Sequence, residues 1–93
     1  MSNPPKIKCA AIILNGIIYE GDSHCNIGLK MVREGICERY PSGDAQGFVN
    51  VEGKFISRYQ ALRIAIHNGQ VPPEMINKGV LYSEYLRGYK DNT

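Results

Sequence analysis

Asn15-Gly16 stands between two apolar runs, Lys6-Ile7-Lys8-Cys9-Ala10-Ala11-Ile12-Ile13-Leu14 and Ile17-Ile18-Tyr19-Glu20. A two-residue connection of this composition supplies two positive-φ positions, and its twist matches that of paired antiparallel strands, so the segment is a β-hairpin. A second hairpin is written further along, with Gly47-Phe48-Val49-Asn50-Val51 turning through Glu52-Gly53 into Lys54-Phe55-Ile56. Two hairpins commit the chain to an antiparallel sheet, and the intervening segments must supply whatever packs on it.

Those segments read as helices. Gly21-Asp22-Ser23 gives a turn and an N-cap oxygen, after which Cys25, Leu29 and Val32, flanked by Ile27 and Met31, recur at helical spacing until Gly35. The spacing predicts a helix over residues 24–34 with Cys25 on its inner side. Residues 36–45 carry Pro41 and Gly43 among polar neighbours and read as a surface loop, the kind of segment in which function often resides. Ser57 with Gln60 three residues on forms a capping box, opening a second helix to about Asn68 with Gly69 as its stop. Ala61, Leu62, Ala65 and Ile66 share one face of it, small enough to lie close on a sheet. Pro72-Pro73 ends any extension, and the tail from Val80 places Tyr82, Tyr85 and Tyr89 three and four residues apart, a stripe suited to a short helix docked on the body or on a partner. The order ββαββα predicts an α+β fold: a four-stranded, mainly antiparallel sheet, two helices and a short C-terminal segment, in a single domain over residues 1–93.

Ninety-three residues suffice for one core and not two, and 43% hydrophobic with 22% charged residues is the balance of a folded domain. No apolar run approaches the ~20 residues needed to cross a bilayer, and Met1-Ser2-Asn3-Pro4-Pro5 lacks the plan of a signal peptide, so the expectation is a cytosolic protein without a membrane partner. Eleven Lys and Arg against nine Asp and Glu leave net +2 with the signs interleaved, which argues against genomic nucleic acid as a partner and permits a local cationic pocket for a small anion. Cys9, Cys25 and Cys37 contain no Cys-x-x-Cys pair, which disfavours both a disulfide framework and a zinc knuckle and leaves reduced structural thiols.

No phosphate loop, His-Glu-x-x-His or Gly-x-Ser-x-Gly is present, and the chain has only His24 and His67. No catalytic residue, metal or cofactor is expected. His24 beside Cys25 is no nucleophile pair, because adjacent helical side chains diverge by about 100°. The sharper candidate is the start of the second helix, where backbone N–H groups meet Arg58, whose guanidinium grips phosphate oxygens two at a time. The alternative is that Ser57 only caps and Arg58 points to water. His24 occupies the matching position on the first helix; two such termini aimed at one cleft would hold a pyrophosphate, and nothing in the sequence brings them together. Gln46-Gly47-Phe48 adds an amide for a base or ribose edge, a glycine for close approach and an aromatic face for stacking, although Phe48, as a strand residue, is equally a candidate for the core. The tyrosine stripe is open in the same way between packing and a base platform.

The succession of Cys-Ala-Ala-Ile (9–12), Glu-Gly-Asp-Ser-His (20–24), Gln-Gly-Phe-Val (46–49), Gly-Lys-Phe-Ile-Ser-Arg-Tyr-Gln-Ala (53–61), Asn-Gly-Gln-Val (68–71) and Leu-Tyr-Ser-Glu (81–84) resembles the first Thoeris anti-defence family of bacteriophages. The resemblance spans nearly the whole chain. It implies a sponge rather than an enzyme: a protein in the cytoplasm of the infected bacterial host that sequesters the cyclic ADP-ribose isomer of TIR-based immunity without degrading it. Some members also form hexamers and hold cyclic oligonucleotides of CBASS immunity. The implied ligand-binding set is His24, Gln46, Gly47, Phe48, Ser57, Arg58, Ser83 and Glu84, closed by a neighbouring subunit. Two positions depart from the family pattern: Ser23 stands where a basic residue often precedes the histidine, and Ser83-Glu84-Tyr85-Leu86 replaces a common Ser-Glu-Asp-Leu ending. Independently of the resemblance, so short a chain does not easily enclose a ligand of that size alone, and a homo-oligomer, dimer or hexamer, is expected.

Overall fold

The computed structural model describes residues 4–83, 85 and 86. Strand β1 (Ile7–Leu14) turns through Asn15 and Gly16, at φ 52° and 80°, into β2 (Ile17–Gly21), so both turn residues take the left-handed backbone that this pair of residues accommodates. Strand β3 (Gln46–Asn50) and β4 (Phe55–Ser57) form the second hairpin. Asn50 closes it: its buried side-chain Oδ1 accepts from the backbone N–H of both Glu52 and Lys54, each at 2.9 Å. The sheet runs β2-β1-β3-β4 and every pairing is antiparallel, as the sequence predicts.

Helices α1 (His24–Arg33) and α2 (Arg58–His67) each begin at the predicted serine. Ser23 Oγ accepts from the Asn26 N–H at 3.1 Å and Ser57 Oγ from the Gln60 N–H at 3.2 Å. Gly35 and Gly69, at φ 76° and 73°, follow the helix ends as expected. Beyond Pro72 the chain makes a 3-10 segment, Pro73–Lys78, that the sequence reading leaves irregular.

Both helices lie on one face of the sheet. Ala10, Ile12, Phe48 and Ile56 from the strands pack with Ile27 and Met31 of α1, Ala61, Leu62 and Ala65 of α2, and Val71 and Leu81 from the C-terminal part. Ile7 belongs to the same cluster although it is three residues from Ala10, because an irregularity between Ile7 and Cys9 shifts the register by one residue and flips the side-chain alternation. Gln70 secures that point: its Oε1 accepts from the Ile7 N–H and its Nε2 donates to the Ile7 carbonyl, both at 2.9 Å. No helix among the described residues is long and apolar enough to cross a membrane.

The inner face of α1 differs from expectation. Its buried residues are His24, Ile27, Gly28 and Met31, whereas Cys25, Leu29 and Val32 are exposed. Both sets have helical spacing, so periodicity alone does not choose between them. Packing chooses the first. Gly28 has no side chain, and the Tyr40 ring occupies the space that a Cβ there would need. His24 is buried with a hydrogen-bond partner for its ring.

Candidate functional site

The two helix starts meet. Strand β2 ends at Gly21, in the row of Ala10 and Phe48, while β4 ends at Ser57, paired with Gly47 in the adjacent row. Helices entered from these strand ends therefore begin at nearly the same level on the same sheet face. The C-terminal segment ties them together: the Leu81 N–H donates to the Arg58 carbonyl at 3.0 Å, and the His24 N–H donates to Ser83 Oγ at 3.4 Å. Leu81 and Ser83 are two residues apart, so the first residues of α1 and α2 are bridged by a segment of ~7 Å.

The members of the predicted set play unlike parts here. His24 is 7% exposed, and its Nε2–H donates to the Gly47 carbonyl at 2.6 Å, which fixes the tautomer because a carbonyl only accepts. Its ring also meets the Phe48 ring edge to face, centroids 5.0 Å apart. Phe48 is 0% exposed, among the largest fully buried side chains. That places it in the core, and the expectation of an aromatic face open for stacking is corrected: an inward strand position between Ala10 and Ile56 leaves neither ring face to a ligand. Gly47 is buried too, and the approach it permits is internal. A Cβ there would stand 2.5 Å from both the Ile56 carbonyl oxygen and Phe55 Cζ, so the Phe55 ring uses the space. Gln46 is half-buried, and its Nε2 donates to the Pro41 carbonyl at 3.3 Å, pinning residues 36–45 to the start of β3. Ser83 is buried on α1, and Glu84 lies outside the described residues.

Ser57 and Arg58 remain accessible. Ser57 is exposed while capping α2, and Arg58 is half-buried. The Arg58 guanidinium lies against the 3-10 turn Gly43–Ala45, where Nη2 would be 3.0 Å from a Cβ on Gly43, so the glycine leaves room for its close approach. Arg58 makes no ion pair among the described residues. A guanidinium held against a turn at a helix start, with no ion pair among the described residues, has N–H groups with which to receive an anion. From the sequence, residues 36–45 read as a surface loop of the kind that often carries function, and nothing there links Gly43 to Arg58; Pro41 and Gly43 are the available signal. For the Leu81 backbone no signal exists, since main-chain contacts leave no mark on residue type.

Other titratable groups lie away from this end. Cys9 on β1 is half-buried, and burial, then the neighbouring Glu20 carboxylate, pushes its thiol above the ordinary range. Lys8 and Glu20 form a surface ion pair at 3.2 Å. Cys25 is exposed, contrary to its expected inner position, and Cys37 packs half-buried against the core; all three cysteines are free. Among the described residues no three His, Cys, Asp or Glu side chains gather where they could hold a metal ion. Two surface grooves, of about 430 and 270 Å³, lie elsewhere, one between the β3–β4 turn and α2 at Lys54 and Arg63, the other between β2 and α1 at Ile18 and Lys30. Neither is lined by Ser57 or Arg58.

An antiparallel sheet, two helices on one face of it and a C-terminal segment hydrogen-bonded to both helix starts define a small α+β domain, with Arg58 at the end where the helices begin. Residues 6–86 match the phage T4 y16D protein family, and the chain belongs to that family of bacteriophage proteins. No curated protein and no solved structure matches it significantly.

Proposed function

We propose that this phage protein is a sponge, a binder that captures a cyclic nucleotide signal of the cyclic ADP-ribose isomer type made in TIR-based Thoeris immunity and holds it uncleaved in the cytoplasm of the infected host. Cyclic oligonucleotides of CBASS immunity are the second ligand class. The observation that carries the reading is the Arg58 guanidinium, without an ion pair among the described residues and seated on the Gly43–Ala45 turn at the end where both helices begin. Phosphate oxygens are the natural occupant of such a seat, with exposed Ser57 beside it. Binding without catalysis suits the histidine, because the His24 ring is buried on Gly47 while neighbouring Cys25 faces solvent, so the two form no nucleophile and base pair. Sequestration asks only for slow release.

The test is to purify the protein from cells making the TIR product, denature it, and identify what is released by mass spectrometry. An intact cyclic nucleotide, absent from Arg58→Ala protein prepared alongside, supports the sponge. A hydrolysed nucleotide turns the reading into an enzyme. Release of nothing, with no heat on calorimetric titration, leaves the alternative of a protein-interaction module acting on a host or phage protein.

A further inference from the structure

Cys25, Leu29 and Val32 form an apolar stripe on the outward side of α1, at the four-and-three spacing by which one helix seats along another. Leu29 is 54% exposed and Val32 36%, where an ordinary surface helix presents charge. Tyr40 widens the stripe. Its ring rests on Gly28, its phenol is pushed above the usual range by partial burial and by the nearby Cys25 thiol, and 43% of its surface stays exposed. Contiguous apolar surface of this kind marks an interaction face.

The charges at the ends of α1 say what covers it. Asp22 stands just ahead of the helix and Arg33 is its last residue, both exposed and without an ion pair among the described residues. The helix itself carries no acid in its first turn and has Lys30 and Arg33 in its last. A second α1 laid parallel would set like charge on like. Laid antiparallel, it sets each Asp22 against the other's Arg33, and each helix N-terminus beside the other's C-terminus, along about 15 Å of helix. The midpoint between Asp22 and Arg33 falls within two residues of Leu29, so the charges and the apolar stripe share one centre. The face is complementary to itself.

We propose that α1 is the contact face between two copies of this chain, packed antiparallel about a two-fold axis near Leu29 with reciprocal Asp22–Arg33 pairs. The interface is separate from the Arg58 end and needs no nucleotide. Sedimentation equilibrium on nucleotide-free full-length protein, at concentrations up to on the order of 200 μM, is expected to give twice the mass of the chain. Leu29→Glu buries two charges at the axis and loosens the dimer at least about 100-fold. Asp22→Arg and Arg33→Asp each loosen it about tenfold, and the combined Asp22→Arg/Arg33→Asp chain returns to within about threefold of the starting affinity, since the pairs are restored with signs exchanged. Far-UV circular dichroism of each variant confirms the fold, and the charge variants decide the matter if Leu29→Glu does not fold. A single-chain mass at the highest concentration, or charge exchange without recovery, overturns the proposal. A dimer that binds no nucleotide would instead count against the sponge.

Discussion

The starts of α1 and α2 are near duplicates in sequence and opposites in environment. Each has a serine cap accepting from the third helical N–H at almost the same distance, 3.1 and 3.2 Å, followed by a basic or imidazole side chain, His24 or Arg58. At α1 that side chain turns inward, bonds the Gly47 carbonyl and leans on Phe48, and Ser83 accepts from the first N–H. At α2 it turns along the surface and lies on the Gly43 backbone with no carboxylate partner among the described residues. One terminus is spent on holding the structure together. The other leaves its cation half-buried at the surface, and the first bonds the same C-terminal segment that bonds the second.

Substitutions that break this contrast rank by how deeply each group is buried. Phe48→Ala empties a fully enclosed ring site between the sheet and both helices and is expected to cost ~3–5 kcal/mol, a fall in Tm of at least ~12 °C by scanning calorimetry. His24→Ala leaves the buried Gly47 carbonyl without its ring partner, for an expected ~2–3 kcal/mol in urea unfolding; recovery of most of that loss in His24→Gln, whose amide N–H also donates, would sharpen the assignment. Arg58→Ala inverts the pattern. It should change unfolding free energy by less than ~0.5 kcal/mol while costing nucleotide capture ~1.5–3 kcal/mol by isothermal titration, and equal effects on both measurements would erase the distinction between the two termini. The smallest effect is at the shared feature: Ser57→Ala removes a solvent-exposed cap worth ~1 kcal/mol, and its loss should appear as faster amide exchange confined to the first turn of α2.

What was legible in the sequence is what short-range chemistry dictates. Asn15-Gly16 specifies its own turn, and each capping serine binds an N–H only three residues away, so both hairpins and both helix starts were readable from residue order, and with them the α+β class. The tertiary structure decided the rest. Two apolar stripes on α1 satisfied the same period, and only the fit of Tyr40 on Gly28 and of His24 on Gly47 selected the buried one. Phe48 had the chemistry of a base-stacking residue until the sheet register set it between Ala10 and Ile56. The meeting of the helix starts depends on the bond from His24 to Ser83 across 59 positions, and the shifted strand at Ile7 on its pairing with Gln70 across 63. Contacts of that range are set by how the layers pack and by where a main-chain group happens to arrive, and neither is encoded in any short stretch of residues.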